Sequence, residues 1–282
     1  MALPKISIIT INYNEPLLER TCESVVNQTF KDYEWIVIDG DSTNPQTLET
    51  LRRYKENMAY FVSEPDDGVF DAMNKGIEQA SGYWLIFMNA GDCFYNNESL
   101  KSMVPYIDQN KNCAVVYGGI LREHKEKLEP YFIKQKRLDD LFFLVDTIMH
   151  QSSFIRRDMF VKYGKYRDEF RVVSDWAKFA QMYWAGEKFK SVDFIVSKYN
   201  LNGISSTISR DDIFMEYVKI WIEYQPWVFE IDRRLLKAYK YFYSILYNLF
   251  FTGELHRYFT IRKNTYKTLL KYTEMCPERL IK

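Results

Sequence analysis

Apolar and polar positions along this chain fall into two alternating regimes. Residues 5–12 (KISIITIN) are β-branched and almost wholly apolar, which predicts a strand buried on both faces, as in a parallel sheet. Pro16 is placed to open a helix at its first position, with Leu18, Cys22, Val25 and Val26 as its apolar stripe. Residues 34–39 (EWIVID) predict a second buried strand, and 46–55 a helix. A short third strand is expected over 59–62, then a helix over 68–80 with Gly82 as its C-terminal cap. Residues 83–88 predict a fourth strand, 97–107 a helix and 113–117 a fifth strand.

The second half is less regular. Residues 122–137 are charged and predict a hairpin or exposed excursion, and 149–155 return as a strand. A helix is expected from Ser174, as N-cap, to Ala185, closed by Gly186. Strands follow near 189–192 and 194–199. From Asp211 the text is helical, broken at Gln225-Pro226 and near Thr252-Gly253.

Strands alternating with helices over the first 120 or so residues imply βαβ units and an open α/β sheet. In such sheets ligands bind beyond the carboxyl ends of the strands, where strand order reverses. Four predicted strands end in polar or small residues: Asn12-Tyr13-Asn14, Asp39-Gly40-Asp41, Ser63 to Asp66, and Asn89-Ala90-Gly91-Asp92. The dinucleotide GxGxxG, the P-loop, GxSxG and HExxH are all absent, so another chemistry must occupy the crevice.

Composition narrows the class. With 47% hydrophobic and 27% charged residues, 282 residues support a sizeable core. Net charge is zero, and no field argues for nucleic acid. Charge is nevertheless uneven: residues 229–282 hold 11 Lys and Arg against 5 Asp and Glu, a balance of +6, together with 12 aromatics. The four cysteines are scattered, without a CxxC pair, which fits a reducing cytoplasm. No secretory signal pattern is read at MALPKISIIT, and the longest apolar run of the tail, ILYNLFF, is far short of a membrane span.

The segments IITINYN, EWIVIDGDST, SEPDDGVFDAMNKGI, LIFMNAGD, MHQSSFIRR and VVSDWAKF, in this order over roughly residues 4–205, resemble the family 2 glycosyltransferases, closest to bacterial enzymes of surface-polysaccharide assembly. The resemblance implies a GT-A fold: a Rossmann-like open mixed sheet flanked by helices, here as a domain over 1–208 with a C-terminal helical extension over 209–282. It implies an inverting hexosyl transfer from a nucleotide-sugar, expected to be a UDP-sugar, to a glycan or lipid-linked acceptor. A catalytically weak or inactive nucleotide-sugar-binding subunit is the alternative.

The resemblance assigns roles to residues. Thr10, Tyr13, Asn14, Asp39, Asp41, Asp66, Asn74, Lys75, Asn89 and Ala90 are expected at the nucleotide. Tyr13 would pack on the base, Asp39 would accept the uracil N3–H, and Lys75 would meet the diphosphate. Asn74 would brace the loop holding the metal. Plainer roles stand beside these: a rim tyrosine, a helix cap by Asp39 or by Asp41-Ser42, a solvated lysine. Asp92 is the expected ligand of Mn2+ or Mg2+. The family often carries two or three acids at this turn; here Asn89 and Gly91 stand at two of those positions and Asp92 is the one that remains. Asp175 is expected as catalytic base, or as a carboxylate complementing its helix N-terminus. His150 is left open between phosphate, metal, acceptor and a structural role. For the tail, packing against the catalytic domain or a second subunit, giving a homodimer, stands against contact with the inner face of a membrane.

Overall fold

The computed structural model describes residues 3–124, 127–135, 138, 140–143, 146–201, 208, 209, 213, 216, 217, 219, 220, 223 and 224. The basic, aromatic tail beyond 224 lies outside them, and with it the expectations of membrane or subunit contact. The strands are β1 (Ile6–Asn12), β2 (Tyr33–Asp39), β3 (Tyr60–Ser63), β4 (Trp84–Phe87), β5 (Cys93–Phe94), β6 (Val115–His124), β7 (Lys127–Tyr131), β8 (Ser153–Arg156) and β9 (Phe189–Asn200). The helices are α1 (Leu18–Val26), α2 (Pro45–Tyr54), α3 (Val69–Gln79), α4 (Ser99–Gln109), α5 (Asp140–Phe143), α6 (Asp158–Tyr163) and α7 (Ser174–Trp184).

One mixed sheet runs β3-β2-β1-β4-β8-β6-β9-β5, with β7 paired to β6. The β3-β2-β1-β4 part is parallel, and β8 joins it antiparallel. Both faces are covered, as the continuous apolar runs predict. Ile9 and Ile11 of β1 pack with Phe70, Met73 and Ile77 of α3 on one face. Ile6 and Ile8 pack with Leu18 and Cys22 of α1 and Leu100 and Met103 of α4 on the other. The period of two along β1 thus feeds two cores. Strand order reverses between β1 and β4, whose ends deliver Asn12 and the Asn89–Asp92 turn to one crevice.

Several expectations are corrected. Gly82 does not cap α3, which ends at Gln79 with Ala80 behind it. A Cβ on Gly82 would stand 2.6 Å from the Ser7 nitrogen and 2.8 Å from the Ile6 carbonyl carbon, so the residue is small for close packing on β1. Gly82→Ala is therefore expected to cost about 1–3 kcal/mol in urea unfolding, because backbone cannot yield as a side-chain tip does. Helix α1 starts at Leu18, with Pro16 in the turn before it. The cap of α2 is Asn44, whose side chain accepts from the Gln46 and Thr47 amides, and neither Asp39 nor Asp41-Ser42 serves there. Residues 149–155 divide into a 3-10 turn (His150–Ser152) and β8. The two strands expected over 189–199 are one. Ser174 lies inside α7 and its hydroxyl accepts from the Arg167 amide, so it is not the N-cap.

Candidate active site

The first wall of the crevice is the end of β1 and β2. Tyr13 is 68% exposed at its rim. Asn14, at φ 51°, takes the Thr43 and Asn44 amides on Oδ1, both at 2.7 Å, and so fixes the loop after β2. Asp41 is exposed on that loop at φ 62°. Gly40 is the floor: a Cβ there would lie 2.5 Å from Asp66 Oδ2 and 3.4 Å from the Tyr13 ring. Tyr13, Gly40 and Asp66 thus surround one small space. Burial pushes the Asp66 carboxyl up, and the Gly68 amide and Lys75 offset this in part.

Two expected nucleotide contacts are engaged elsewhere. Thr10 is fully buried and its hydroxyl accepts from the Trp35 indole at 3.0 Å, because its place on β1 points it into the core with Ile8. Asp39 is also fully buried. Its Oδ1 accepts from Asn12 at 2.5 Å and the Ser42 hydroxyl at 2.6 Å; its Oδ2 accepts from the Ser42 amide at 3.0 Å and Ser63 at 2.6 Å. Four donors fill the sites of a carboxylate, which leaves none for a base N3–H. Asp39 instead ties together the ends of β1, β2 and β3.

Asn74 is likewise engaged elsewhere. Its amide exchanges two hydrogen bonds with the Tyr166 backbone, at 2.8 and 2.9 Å, and braces the loop leading to α7. Lys75 contacts Glu64 at 3.1 Å, Asp71 at 3.4 Å and the Pro65 carbonyl at 2.9 Å. Burial alone would lower its pKa, but hydrogen bonds to Glu64 and Asp71 leave it raised, a fixed positive charge on the rim.

The second wall is the turn after β4. Thr21 of α1 holds it: the hydroxyl accepts from the Gly91 amide at 3.0 Å and donates to the Asp92 carbonyl at 2.6 Å. Gly91 has φ +92°, a conformation that favours glycine. Ala90 is half-buried beside it. Asp92 is 5% exposed, with Oδ1 on the Asn200 amide at 2.9 Å and Oδ2 on Gln151 Nε2 at 3.1 Å. Burial pushes its carboxyl up to about 6, against the pull of the Asn200 amide, His150, Gln151 and Arg20. Glu15 lies close by, its carboxyl carbon 3.4 Å from where a Gly91 side chain would start.

The third element is a chain of polar groups. Asn89 Nδ2 donates to His150 Nε2 at 3.3 Å, which leaves the ring proton on Nδ1, and Nδ1 donates to Asp175 Oδ2 at 2.9 Å. Asp175 Oδ1 accepts from the Trp176 amide at 2.8 Å. His150 and Asp175 side chains are about one-seventh exposed. Trp176 itself is core, buried against Trp184 and Tyr217. Asn89 Oδ1 and the Tyr166 hydroxyl are buried and have no hydrogen-bond partner among the described residues. Burial, and then the Asp175 charge, push the Tyr166 phenol well above its usual range.

Among the described residues no three His, Cys, Asp or Glu side chains stand close enough to enclose a metal ion. The donors that are present suit a cation shared with phosphates: one carboxylate and the unpartnered amide oxygen of Asn89. The structure brings the expected Asp92, His150 and Asp175 near one another, together with Thr21, Gln151 and Asn200, which the sequence reading did not name. Gln151 stood beside His150 in MHQSS, and Asn200 ends β9, so the signal of strand ends extended that far.

Comparison with known proteins bears on the family and the fold. The sequence model described as glycosyl transferase family 2 matches residues 7–164. A PGL/p-HBAD biosynthesis glycosyltransferase of Mycobacterium bovis is 34% identical over 181 residues, 62% of this chain and 68% of that protein. An uncharacterised glycosyltransferase of Mycobacterium tuberculosis is 31% identical over 181 residues, 61% and 66% of the two chains. Among solved structures, S. aureus TarS 1-349 in complex with UDP-GlcNAc has a TM-score of 0.63 at 16% identity, covering 90% of this chain and 78% of that one. A Pyrobaculum calidifontis mannosyltransferase with GDP-Man and Mn2+ has a TM-score of 0.59 at 17% identity, covering 79% and 64%. The match to the longer TarS chain spans 39% of it.

Proposed function

The chain belongs to glycosyl transferase family 2, and from that premise we propose that it transfers a sugar from a UDP-sugar to a hydroxyl of a glycan or lipid-linked acceptor, with inversion at the anomeric carbon. The observation that carries this is the Asn89–His150–Asp175 chain, which sets a carboxylate opposite the Asn89–Asp92 turn in one hydrogen-bonded unit.

In the proposed step the acceptor oxygen attacks the anomeric carbon. The bond from that carbon to the phosphate oxygen breaks, and the acceptor proton passes to Asp175. Uridine diphosphate leaves with the bonding electron pair. His150 holds Asp175 by its Nδ1–H and keeps one carboxylate oxygen oriented. Lys75 at the rim supplies positive charge toward the diphosphate. A divalent cation, when bound, would neutralise charge on the departing diphosphate, held by Asp92 and by Asn89 through its unpartnered oxygen.

With Asp39 filled, the base acceptor moves to Asp66, which stands with Tyr13 over Gly40. Gly40→Ala is expected to displace the Asp66 carboxylate and weaken UDP binding at least about tenfold by calorimetry, the loss of roughly one hydrogen bond to a charged group. The role in polysaccharide synthesis, at the cytoplasmic face of a membrane, belongs to the same reading. No helix among the described residues is long and apolar enough to cross a membrane.

One observation favours a binding subunit without turnover: the turn has a single carboxylate, with a protein donor on each oxygen. A screen of nucleotide-sugars for thermal stabilisation and nucleotide release, with and without Mn2+, separates the readings. Transfer predicts release with at least one UDP-sugar, enhanced by metal. Binding without release in any condition supports the subunit, and stabilisation by purine nucleotide-sugars alone sinks the uridine assignment.

A further inference from the structure

The helix that carries Asp175 has no cap of its own. Val173 stands at the N-cap position without a polar side chain, and the Ser174 hydroxyl is held by the Arg167 amide. The amides just before the helix are collected by a carboxylate more than forty residues further on. Glu216 Oε1 accepts from Arg171 at 2.8 Å, and Oε2 accepts from Val172 at 3.1 Å and Val173 at 3.2 Å. Three successive N–H groups at a helix start make an anion-binding concavity, and the helix dipole adds to it. The next residue, Tyr217, stacks edge-on against Trp176 with ring centres 4.4 Å apart. Ile220 is fully buried in the core that contains Trp176, and Glu223 pairs with Arg167 at 2.6 Å. Asp175 is therefore bracketed: its preceding loop is held by Glu216 and its following residue by Tyr217.

We propose that Glu216 is a positioning residue for Asp175, and that Glu216, Tyr217, Ile220 and Glu223 complete the active site by fixing the first turn of α7. The proposal rests on the reading of Asp175 as base. Side-chain direction in the first helical turn follows the backbone of residues 171–174, so freeing three amides there reorients the carboxylate relative to His150. Glu216 touches none of the reacting groups and acts through the loop. Its removal should lower the rate of the chemical step and leave donor binding, which lies on β1, β2 and α3, unchanged.

The test uses the full chain with Glu216→Gln, which keeps the size, and Glu216→Ala and Glu216→Asp beside it. Expected is a kcat for sugar transfer at least tenfold lower in Glu216→Gln and Glu216→Ala, with donor KM and UDP affinity within twofold of the parent. Glu216→Asp, which keeps two charged oxygens, recovers part of the rate. In an Asp175→Asn background, Glu216→Gln is expected to add no further loss, since it acts through that carboxylate. Parent-like kcat in Glu216→Gln, or a full further loss on top of Asp175→Asn, overturns the proposal. If Glu216→Ala gives no cooperative melt, the isosteric Gln variant decides. The imidazole NMR signal of His150 supplies a readout independent of turnover: a shift in Glu216→Gln is expected, and an unchanged signal overturns the positioning role. Absence of turnover by the parent with every nucleotide-sugar sinks the functional reading instead, and the His150 signal still decides this one.

Discussion

Asp175→Asn is expected to lower sugar transfer by about 10³-fold, within the range for loss of a positioned general base, while UDP binding stays within twofold of the parent. Single-turnover UDP release with an acceptor present measures the first, and calorimetry the second. The substitution removes the group that takes the acceptor proton and leaves untouched the Tyr13–Gly40–Asp66 space, where UDP binding is read without added metal.

The variant should fold, for a reason visible in the polar chain. Asp175 now accepts twice, from the Trp176 amide and from His150 Nδ1. An asparagine can keep its oxygen on Trp176 and turn its NH2 toward His150. The imidazole then accepts on Nδ1 and carries its proton on Nε2. Asn89, rotated by half a turn, receives that proton on the oxygen that is otherwise without a partner. The whole chain inverts its polarity without losing a hydrogen bond. A thermal midpoint within about 3 °C of the parent, a change below roughly 1 kcal/mol, therefore accompanies the lost activity. Parent-like transfer by the variant would remove Asp175 as base and with it the inverting reading.

Much of this fold was legible because both faces of its central strands are buried. Continuous apolar runs at 5–12 and 34–39 predict a covered parallel sheet, and β1 and β2 are that. The polar strand ends were legible too, as a place. What each side chain does there was not. Thr10 follows the parity of Ile6 and Ile8 into the core, but its hydroxyl finds a use only because Trp35 brings an indole N–H to it from β2. Asp39 and Asp92 both look like free acids at strand ends. One is filled by four donors from three segments, and the other is buried with two. That difference depends on Ser42, Ser63, Gln151 and Asn200, up to 108 residues away. Asn74 sits on a helix flank whose partner, Tyr166, is 92 residues on. The 3-10 turn at His150 has no period to read, so its side chain's direction toward both Asn89 and Asp175 came only from the structure.

Asp92→Asn is expected to move activity and stability in opposite directions. Activity should fall at least about 100-fold, because a divalent cation held by Asp92 would stabilise charge on the departing diphosphate by several kcal/mol, and stimulation by Mn2+ should vanish. Stability of the free protein at pH 7.5 should rise. The Asp92 carboxyl is raised from 3.8 to about 6 by burial. In the window between about 4 and 6 the folded chain holds a proton that the unfolded chain has released. Parent stability therefore falls as pH rises through that window, and the full cost of the buried charge is present above it. That cost is on the order of 1–3 kcal/mol, which an uncharged asparagine removes, raising the midpoint by about 5 °C. Gln151 accommodates the change by turning its amide to offer Oε1 to the new NH2, while the Asn200 amide keeps an acceptor. The advantage of the variant should shrink as pH is lowered from 6 toward 4, where the parent carboxyl is protonated as well. Unchanged Mn2+ stimulation would remove Asp92 from the metal, and a lower midpoint at pH 7.5 would show that the carboxylate stabilises this turn. The two measurements together ask whether the single acid left on this turn is kept for its chemistry against its cost to the fold.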